Sequence, residues 1–134
     1  MNPSAESPRP VLTDRAPAPI GPYSQAIAWD RLLFTAGQVA LLPDGSFGGG
    51  SAGEQTRQAL HNLAKILEAG GSSLGGVLKT TIFLQNMDDF AEVNGVYAEF
   101  FGQSAPARST VQVARLPKDA LVEIEAIAVV DRRQ

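Results

Sequence analysis

The segment that most constrains the fold is residues 121–130, which read LVEIEAIAVV. Successive side chains of a strand point to opposite faces of a sheet, so this segment has two distinct faces. One face is wholly apolar and comprises Val122, Ile124, Ala126, Ala128 and Val130. The other face carries two carboxylates and two apolar side chains, and comprises Glu123, Glu125, Ile127 and Val129. We therefore predict a strand that is covered on one face and only partly polar on the other.

Upstream segments predict further strands and two helices. Apolar and β-favouring residues predict strands at residues 24–28, 31–38, 77–84 and 109–115. Ser51 and Glu54 form a capping-box pattern that begins a helix, and Gly70 follows its apolar stripe as a stop signal. A second helix is predicted from about residue 88 to residue 101, closed by Gly102. Gly95 in its middle suggests a close neighbour at that point.

The balance of strands and helices predicts an oligomer. Two helices can cover only one face of a sheet of this size, so the partly apolar second face of residues 121–130 would stay exposed in a lone chain. Exposed apolar patches of that kind mark interfaces. We therefore predict an α+β domain that forms a homo-oligomer.

Composition excludes several classes of function. The 134 residues carry a net charge of −3 at pH 7, which argues against a nucleic-acid or anionic-membrane surface. The sequence has no cysteine and a single histidine, His61, so thiolate chemistry and a conventional zinc site are not expected. No metal and no cofactor are predicted. No apolar run approaches the ~20 residues that span a bilayer, and the cytoplasm is the expected location.

The beginning of the sequence differs from the rest in composition. Six of the nine prolines lie in the first 22 residues. We predict a disordered, proline-rich tail over residues 1–17 and one domain over residues 18–134.

Arg108 is the residue with the clearest chemical implication. It stands in the segment PARS, residues 106–109, just before a predicted strand, and the next charge after it, Arg115, has the same sign. A guanidinium stays charged, and its planar fork matches a carboxylate. Either a distant carboxylate of this chain pairs with Arg108, or an anionic ligand does.

Other candidate site residues have two interpretations each. Glu123 could act as a general base, or Glu123 and Glu125 could pair with cations across an interface. Tyr23 follows Gly21 and Pro22, and its phenol could donate to a substrate anion or pack in the core. Asn94 lies within the second predicted helix, where it could bind a ligand or face solvent.

Four motifs in order resemble the RidA (YjgF) family of enamine/imine deaminases. They are IGPYSQA at residues 20–26, FTAGQV at 34–39, VNGVY at 93–97 followed by FF at 100–101, and PARS at 106–109 continuing through VARLPKD at 113–119 to EIEAIA at 123–128. The similarity covers roughly residues 18–130. Each motif alone is weak, but four in sequence with similar spacing are specific.

This resemblance implies a fold, an assembly and an activity. The fold would be chorismate-mutase-like, a single mixed sheet of about six strands with two helices on one face, and the assembly a homotrimer with active sites between subunits. The activity would be hydrolysis of 2-aminoacrylate and related 2-imino acids to 2-keto acids and ammonia, without a cofactor. Arg108 would bind the substrate carboxylate and Glu123 would position water. The positions that line or support the site would be Tyr23, Gly37, Asn94 and Thr110.

The sequence departs from the family pattern at a few positions. Thr110 stands where cysteine is common, Ala36 stands where serine is common, and the loop at residues 102–105 is short. These changes would alter substrate preference rather than abolish activity. The alternative function is a non-catalytic metabolite-binding or chaperone-like trimer. RNA cleavage is disfavoured by the acidic balance and the lack of a histidine pair.

Overall fold

Six strands hydrogen-bond into one mixed sheet in a computed structural model that describes residues 7–131. In chain order they are β1 (Arg9–Val11), β2 (Ala26–Trp29), β3 (Leu32–Thr35), β4 (Val77–Leu84), β5 (Ala107–Gln112) and β6 (Val122–Val129). Their order in the sheet is β1-β2-β3-β6-β4-β5. The neighbours β4 and β5 are parallel, and every other pair is antiparallel. The predicted mixed sheet of about six strands is confirmed.

Two helices cover one face of this sheet. They are α1 (Ala52–Ala69) and α2 (Phe90–Phe101). The Ser51 side chain accepts the Glu54 backbone N–H and the Glu54 carboxylate accepts the Ser51 N–H, so the predicted capping box is confirmed. The stripe of α1 formed by Ala59, Leu60, Leu63, Ile66 and Leu67 is fully buried. Among residues 7–131, neither α-helix is long and apolar enough to cross a membrane.

The two-faced strand is β6. Its buried set comprises Val122, Ile124, Ala126 and Ala128, and its half-buried set comprises Glu123, Glu125, Ile127 and Val129. The buried set meets the helices together with Leu33 of β3 and Ile82 of β4, each fully buried. We call this the helix face, and the other side of the sheet the open face. The predicted alternation of covered and partly exposed side chains along this strand is therefore confirmed.

The prediction of a disordered tail over residues 1–17 is wrong for residues 9–11. Residues 9–11 form β1, in which Val11 lies opposite Ala26 at the edge of the sheet. Proline is tolerated in an edge strand because its missing N–H can face away from the sheet, and Pro10 stands there. The Gln25 side chain further anchors the segment through hydrogen bonds with Thr13 and Pro17 backbone groups. The first six residues of the predicted tail lie outside the described residues.

Two boundaries differ from prediction in ways that matter for the site. Strand β5 begins at Ala107, so Arg108 lies inside the strand rather than before it. Helix α2 begins at Phe90, after a 3₁₀ turn over Met87–Asp89 that the Asn86 side chain caps. A Cβ at Gly95 would meet nothing within 4 Å among the described residues, so the neighbour expected there is not found within the chain.

Candidate functional site

A cavity of about 330 Å³ opens on the sheet beside β6. Its walls come from the segment before β2, the segment after β3, and β6 itself. Three of the predicted site residues line it, namely Tyr23, Gly37 and Glu123. We call it the Glu123 cavity. The size is within the range of small-molecule sites, which begin at about 300 Å³.

Glu123 is the ionisable group of this cavity with a shifted pKa. Burial raises the pKa of the Glu123 carboxyl above its usual 4.5, and the nearby charge of Glu125 raises it further. Among residues 7–131 its carboxylate has no hydrogen-bond or ion-pair partner. A raised pKa makes a half-buried carboxylate a stronger base than an exposed one once it is ionised. The group is therefore suited to general acid–base chemistry.

Gly37 is required by the position of that carboxylate. A Cβ at residue 37 would collide with Oε2 of Glu123 and lie 2.8 Å from its Cδ. Glu123 therefore lies across the backbone of Gly37, where a larger residue would displace it. The carboxylate and the backbone at residue 37 form one end of the cavity.

Tyr23 stands at the entrance of the cavity. Its side chain is 49% exposed, so the alternative of core packing is wrong. Its hydroxyl accepts a hydrogen bond from the Ile20 backbone N–H at 3.2 Å. That bond uses an acceptor position of the phenol, and its own O–H remains able to donate to a ligand.

The sequence did not identify the apolar walls of the cavity. They include Val39, Leu41 and Pro117. Pro117 is followed by Lys118 at φ 60° and Asp119 at φ 55°, a left-handed turn that costs free energy for residues other than glycine. The residues after Leu116, Pro-Lys-Asp, are typical of a turn. The sequence does not indicate which distant segment this turn packs against.

Arg108 lies away from this cavity, against α2. Its guanidinium carbon is 4.9 Å from the ring centroid of Tyr97 and 5.5 Å from that of Phe90. No carboxylate pairs with it among residues 7–131. Of the two interpretations of Arg108, the internal ion pair is thus not found in the part of the chain that the structure describes.

Two other predicted site residues share the strand face of Arg108 or the helical stripe of its two aromatic neighbours. Thr110 is two residues further along β5, and its hydroxyl is buried without a hydrogen-bond partner. Asn94 is half-buried on α2, four residues after Phe90 and three before Tyr97, which places it on the same helical stripe. We call Arg108, Thr110, Asn94 and the two rings the Arg108 cluster. The unpartnered hydroxyl marks a place where a polar ligand would fit.

The Glu123 cavity and the Arg108 cluster are on opposite faces of the sheet. Arg108 is in register with Thr80 of β4, which is fully buried under α2. Glu123 is in register with Phe83 of β4, three residues further along. Side chains three residues apart on a strand point to opposite faces. One chain therefore does not bring the Arg108 fork and the Glu123 carboxylate into one site.

His61 belongs to neither group. It is exposed on α1, with its ring against Phe100 at 5.6 Å, as expected for a solvated helix histidine. Residues 7–131 contain no group of three or more histidine, aspartate or glutamate side chains that could hold a metal ion.

Comparison with known proteins identifies the family. Residues 13–130 match the family described as endoribonuclease L-PSP. A RutC family protein of Pyrococcus horikoshii is 56% identical over 119 residues, which are 88% of this chain and 94% of that protein. The 2-iminobutanoate/2-iminopropanoate deaminase of Mus musculus is 49% identical over 120 residues, 89% of each chain. A crystal structure of E. coli TdcF with bound serine superimposes with a TM-score of 0.87 at 42% identity, covering 92% of this chain and 99% of that one. The chain therefore belongs to the endoribonuclease L-PSP family, the YjgF/RidA family that its motifs resemble.

Proposed function

We propose that this protein hydrolyses reactive enamines and imines, 2-aminoacrylate and related 2-imino acids, to 2-keto acids and ammonia. In this proposal Arg108 binds the substrate carboxylate and Glu123 positions the attacking water. The observation that carries it is a half-buried guanidinium with no carboxylate partner among residues 7–131. Relatives named 2-iminobutanoate/2-iminopropanoate deaminase at 43–49% identity support the choice of substrate class.

The proposed site requires more than one copy of the chain. Arg108 and Glu123 face opposite sides of one sheet, so a substrate that meets both must lie between two chains. The open face also offers apolar surface for such an assembly, since Phe34 is 41% exposed and Val111 is 43% exposed. We propose a homotrimer in which the Arg108 cluster of one subunit closes the Glu123 cavity of the next.

The proposed chemistry needs only binding and proton transfer. The Arg108 fork would hold the carboxylate with two parallel hydrogen bonds, with Thr110 and Asn94 alongside. Glu123 would accept a proton from water as the water oxygen attacks the carbon of the protonated imine, giving a neutral carbinolamine. Return of that proton to nitrogen makes ammonia the leaving group. The hydroxyl proton passes to the Glu123 carboxylate as the C–N bond breaks, which leaves the keto group. Orientation of water and substrate supplies much of the acceleration.

The phenol of Tyr23 and the backbone of Gly37 would complete the water-binding end of the site. Tyr23 can donate its O–H to the substrate, and Gly37 lets Glu123 lie across the chain at that point. The name of the family includes RNA cleavage, but the sole histidine of this chain is exposed on α1 and outside both groups. The residues described here favour the imine substrate.

The test is a coupled assay. A threonine or serine dehydratase generates the enamine in situ, and keto-acid release or trapping of the imine by semicarbazide is followed with and without this protein. We expect faster keto-acid release and less trapped imine. Arg108→Ala should weaken carboxylate binding by roughly two to three and a half decades, because the loss of a charge-pair partner costs about 3–5 kcal/mol.

Arg108→Lys should not restore activity, since an ammonium lacks the planar fork. Glu123→Gln should lower turnover while leaving affinity for the keto-acid product nearly unchanged. Product binding with no acceleration by the wild-type protein would instead indicate the alternative, a metabolite-binding trimer. Equal rates for wild type and both Arg108 variants would refute the proposed residue roles.

A further inference from the structure

The two aromatic rings next to Arg108 form a cradle for its guanidinium. Phe90 begins α2 and Tyr97 follows seven residues later, so two helical turns place both rings on one stripe of the helix. The guanidinium carbon lies 5.5 Å and 4.9 Å from the two ring centroids. Both separations are within the range of cation–π attraction. The cation is therefore held by ring faces.

Ring faces hold a guanidinium in a way that a carboxylate does not. A carboxylate would occupy the N–H groups of the fork and neutralise its charge, so an incoming substrate would have to displace it. An aromatic face attracts the cation through its quadrupole and accepts no conventional N–H hydrogen bond. The five N–H donors then stay available to a ligand.

The cradle is itself fixed by a buried hydrogen bond. The hydroxyls of Tyr97 and Thr80 are 2.6 Å apart, and both residues are buried, at 6% and 0% exposure. Thr80 stands directly across from Arg108 in the parallel register of β4 and β5. The ring of Tyr97 is therefore tied to the strand next to the one that carries Arg108.

We propose that Phe90 and Tyr97 are positioning residues, which preorganise the Arg108 fork for a substrate carboxylate and leave its donors free. Thr80 anchors Tyr97 in this arrangement. A free arginine side chain loses much rotamer freedom when it binds a ligand, and the cradle removes part of that loss before the ligand arrives. The inference rests on the proposed function, in which Arg108 binds the carboxylate.

The first test measures how the rings affect carboxylate affinity. The dissociation constant of 2-oxobutanoate is measured by calorimetry, and KM and kcat in the coupled assay, for wild type, Phe90→Leu and Tyr97→Phe. Phe90→Leu should weaken binding and raise KM by roughly 2- to 30-fold, the range of one cation–π contact, with a smaller change in kcat. Tyr97→Phe keeps the ring and should change binding less.

Phe100→Leu is the matched control, because Phe100 lies on the same helix but contacts His61 instead of Arg108. It should leave KM and the product dissociation constant unchanged. Tyr97→Phe leaves the buried Thr80 hydroxyl without its partner, so it should lower the melting temperature. Thr80→Val combined with Tyr97→Phe should restore part of that stability.

Chemical rescue provides a readout that a merely structural role would not move. Free guanidinium, added to Arg108→Ala far below denaturing concentrations, should occupy the cradle and restore part of the activity. The same addition should rescue the double variant Arg108→Ala/Phe90→Leu much less. Equal rescue of both variants would contradict the positioning role of the two rings. An unchanged KM in a folded Phe90→Leu variant would contradict it as well.

The two proposals fail in distinguishable ways. If Arg108→Ala behaves as wild type, the carboxylate-binding role of Arg108 fails, and the cradle with it. If Arg108→Ala is impaired while Phe90→Leu binds 2-oxobutanoate normally, the proposed function stands and only the positioning role of the rings is wrong.

Discussion

The two faces of the sheet differ in how completely a single chain satisfies them. On the helix face, β6 contributes four buried apolar side chains that meet the two helices. On the open face, the same strand contributes two half-buried carboxylates and two half-buried apolar residues, and neither of the two helices covers them. One face is a complete apolar core, and the other combines half-buried apolar and acidic side chains.

This difference explains where the candidate chemistry lies. A closely packed core has no room for a ligand, and the candidate group on this side lies at the edge of the sheet, where Arg108 of β5 meets α2. The open face holds the Glu123 cavity because no helix covers it. In the proposed function a second copy of the chain joins the two groups.

The largest contrast is expected between two isoleucines of β6. Ile124 is fully buried on the helix face, and its replacement by alanine should cost about 2–5 kcal/mol in free energy of unfolding. Ile127 lies on the open face of the same strand, so Ile127→Ala should reduce the free energy of unfolding by less in dilute protein. Urea denaturation at several protein concentrations measures both.

The cost of Ile127→Ala should grow with protein concentration if the open face is an interface, because assembly stabilises the folded chain by mass action. Equal costs for the two variants at all concentrations would contradict the distinction between the faces.

A charge on the open face should disrupt the assembly. Phe34→Asp places a carboxylate in the proposed interface and should weaken association by about 2 kcal/mol or more, as expected for an aromatic interface residue. Phe47→Asp is the matched control, since Phe47 is 39% exposed against 41% for Phe34 but lies outside the sheet. Light scattering after gel filtration should show a smaller species for Phe34→Asp and no change for Phe47→Asp.

The acidic limb of the pH–rate profile should report Glu123. Its carboxylate acts as a base, so activity should fall as pH drops through its pKa, which burial and then Glu125 hold above 4.5. Glu125→Gln removes the second cause, and the limb should move to lower pH. A limb that stays in place in Glu125→Gln would show that another group controls it.

The same shift affects stability with a definite sign. Because the pKa of Glu123 is raised in the folded chain, its contribution to stability is present below pH 4.5 and is lost as pH rises through the folded pKa. Glu123→Gln should therefore raise the melting temperature at pH 7 and leave it nearly unchanged below pH 4.5. A lower melting temperature at pH 7 would indicate a cation beside the carboxylate in the assembly.

The smallest effect is expected on the outer side of α2. A Cβ at residue 95 would meet nothing within 4 Å from residues 7–131 other than its own helix and chain neighbours. Gly95→Ala should stabilise the chain by about 0.5–1 kcal/mol through helix propensity. Destabilisation in concentrated protein only would show that another copy packs against this position.

Local sequence signals predicted the elements but not all their limits. The capping box of α1 and the alternation of β6 rest on neighbouring residues, and both are confirmed. The sequence does not give the start of β5, because no local signal distinguishes Arg108 before a strand from Arg108 within one. Local composition predicts a tail for the proline-rich segment, because the strand that pairs with it, β2, lies 15 or more residues away.

The sequence predicted which residues belong to the candidate site, but not how they are arranged in space. The family motifs pointed to Tyr23, Gly37, Asn94, Arg108, Thr110 and Glu123. Phe90 and Tyr97 are seven residues apart in the predicted second helix, but the sequence does not show that Arg108 packs against both rings. Contacts between a helix and an edge strand depend on packing, which periodicity alone does not give.

The sequence by itself determined the periodicities, and with them a sheet that has one apolar and one mixed face, since these follow from which side chains alternate along a strand. Only the tertiary structure decided that Arg108 and Glu123 face opposite sides, because that depends on the register of β4 with both β5 and β6. Register is a long-range property, fixed by the packing of segments up to 51 positions apart in the sequence, as Val77 and Ala128 are, rather than by any one of them.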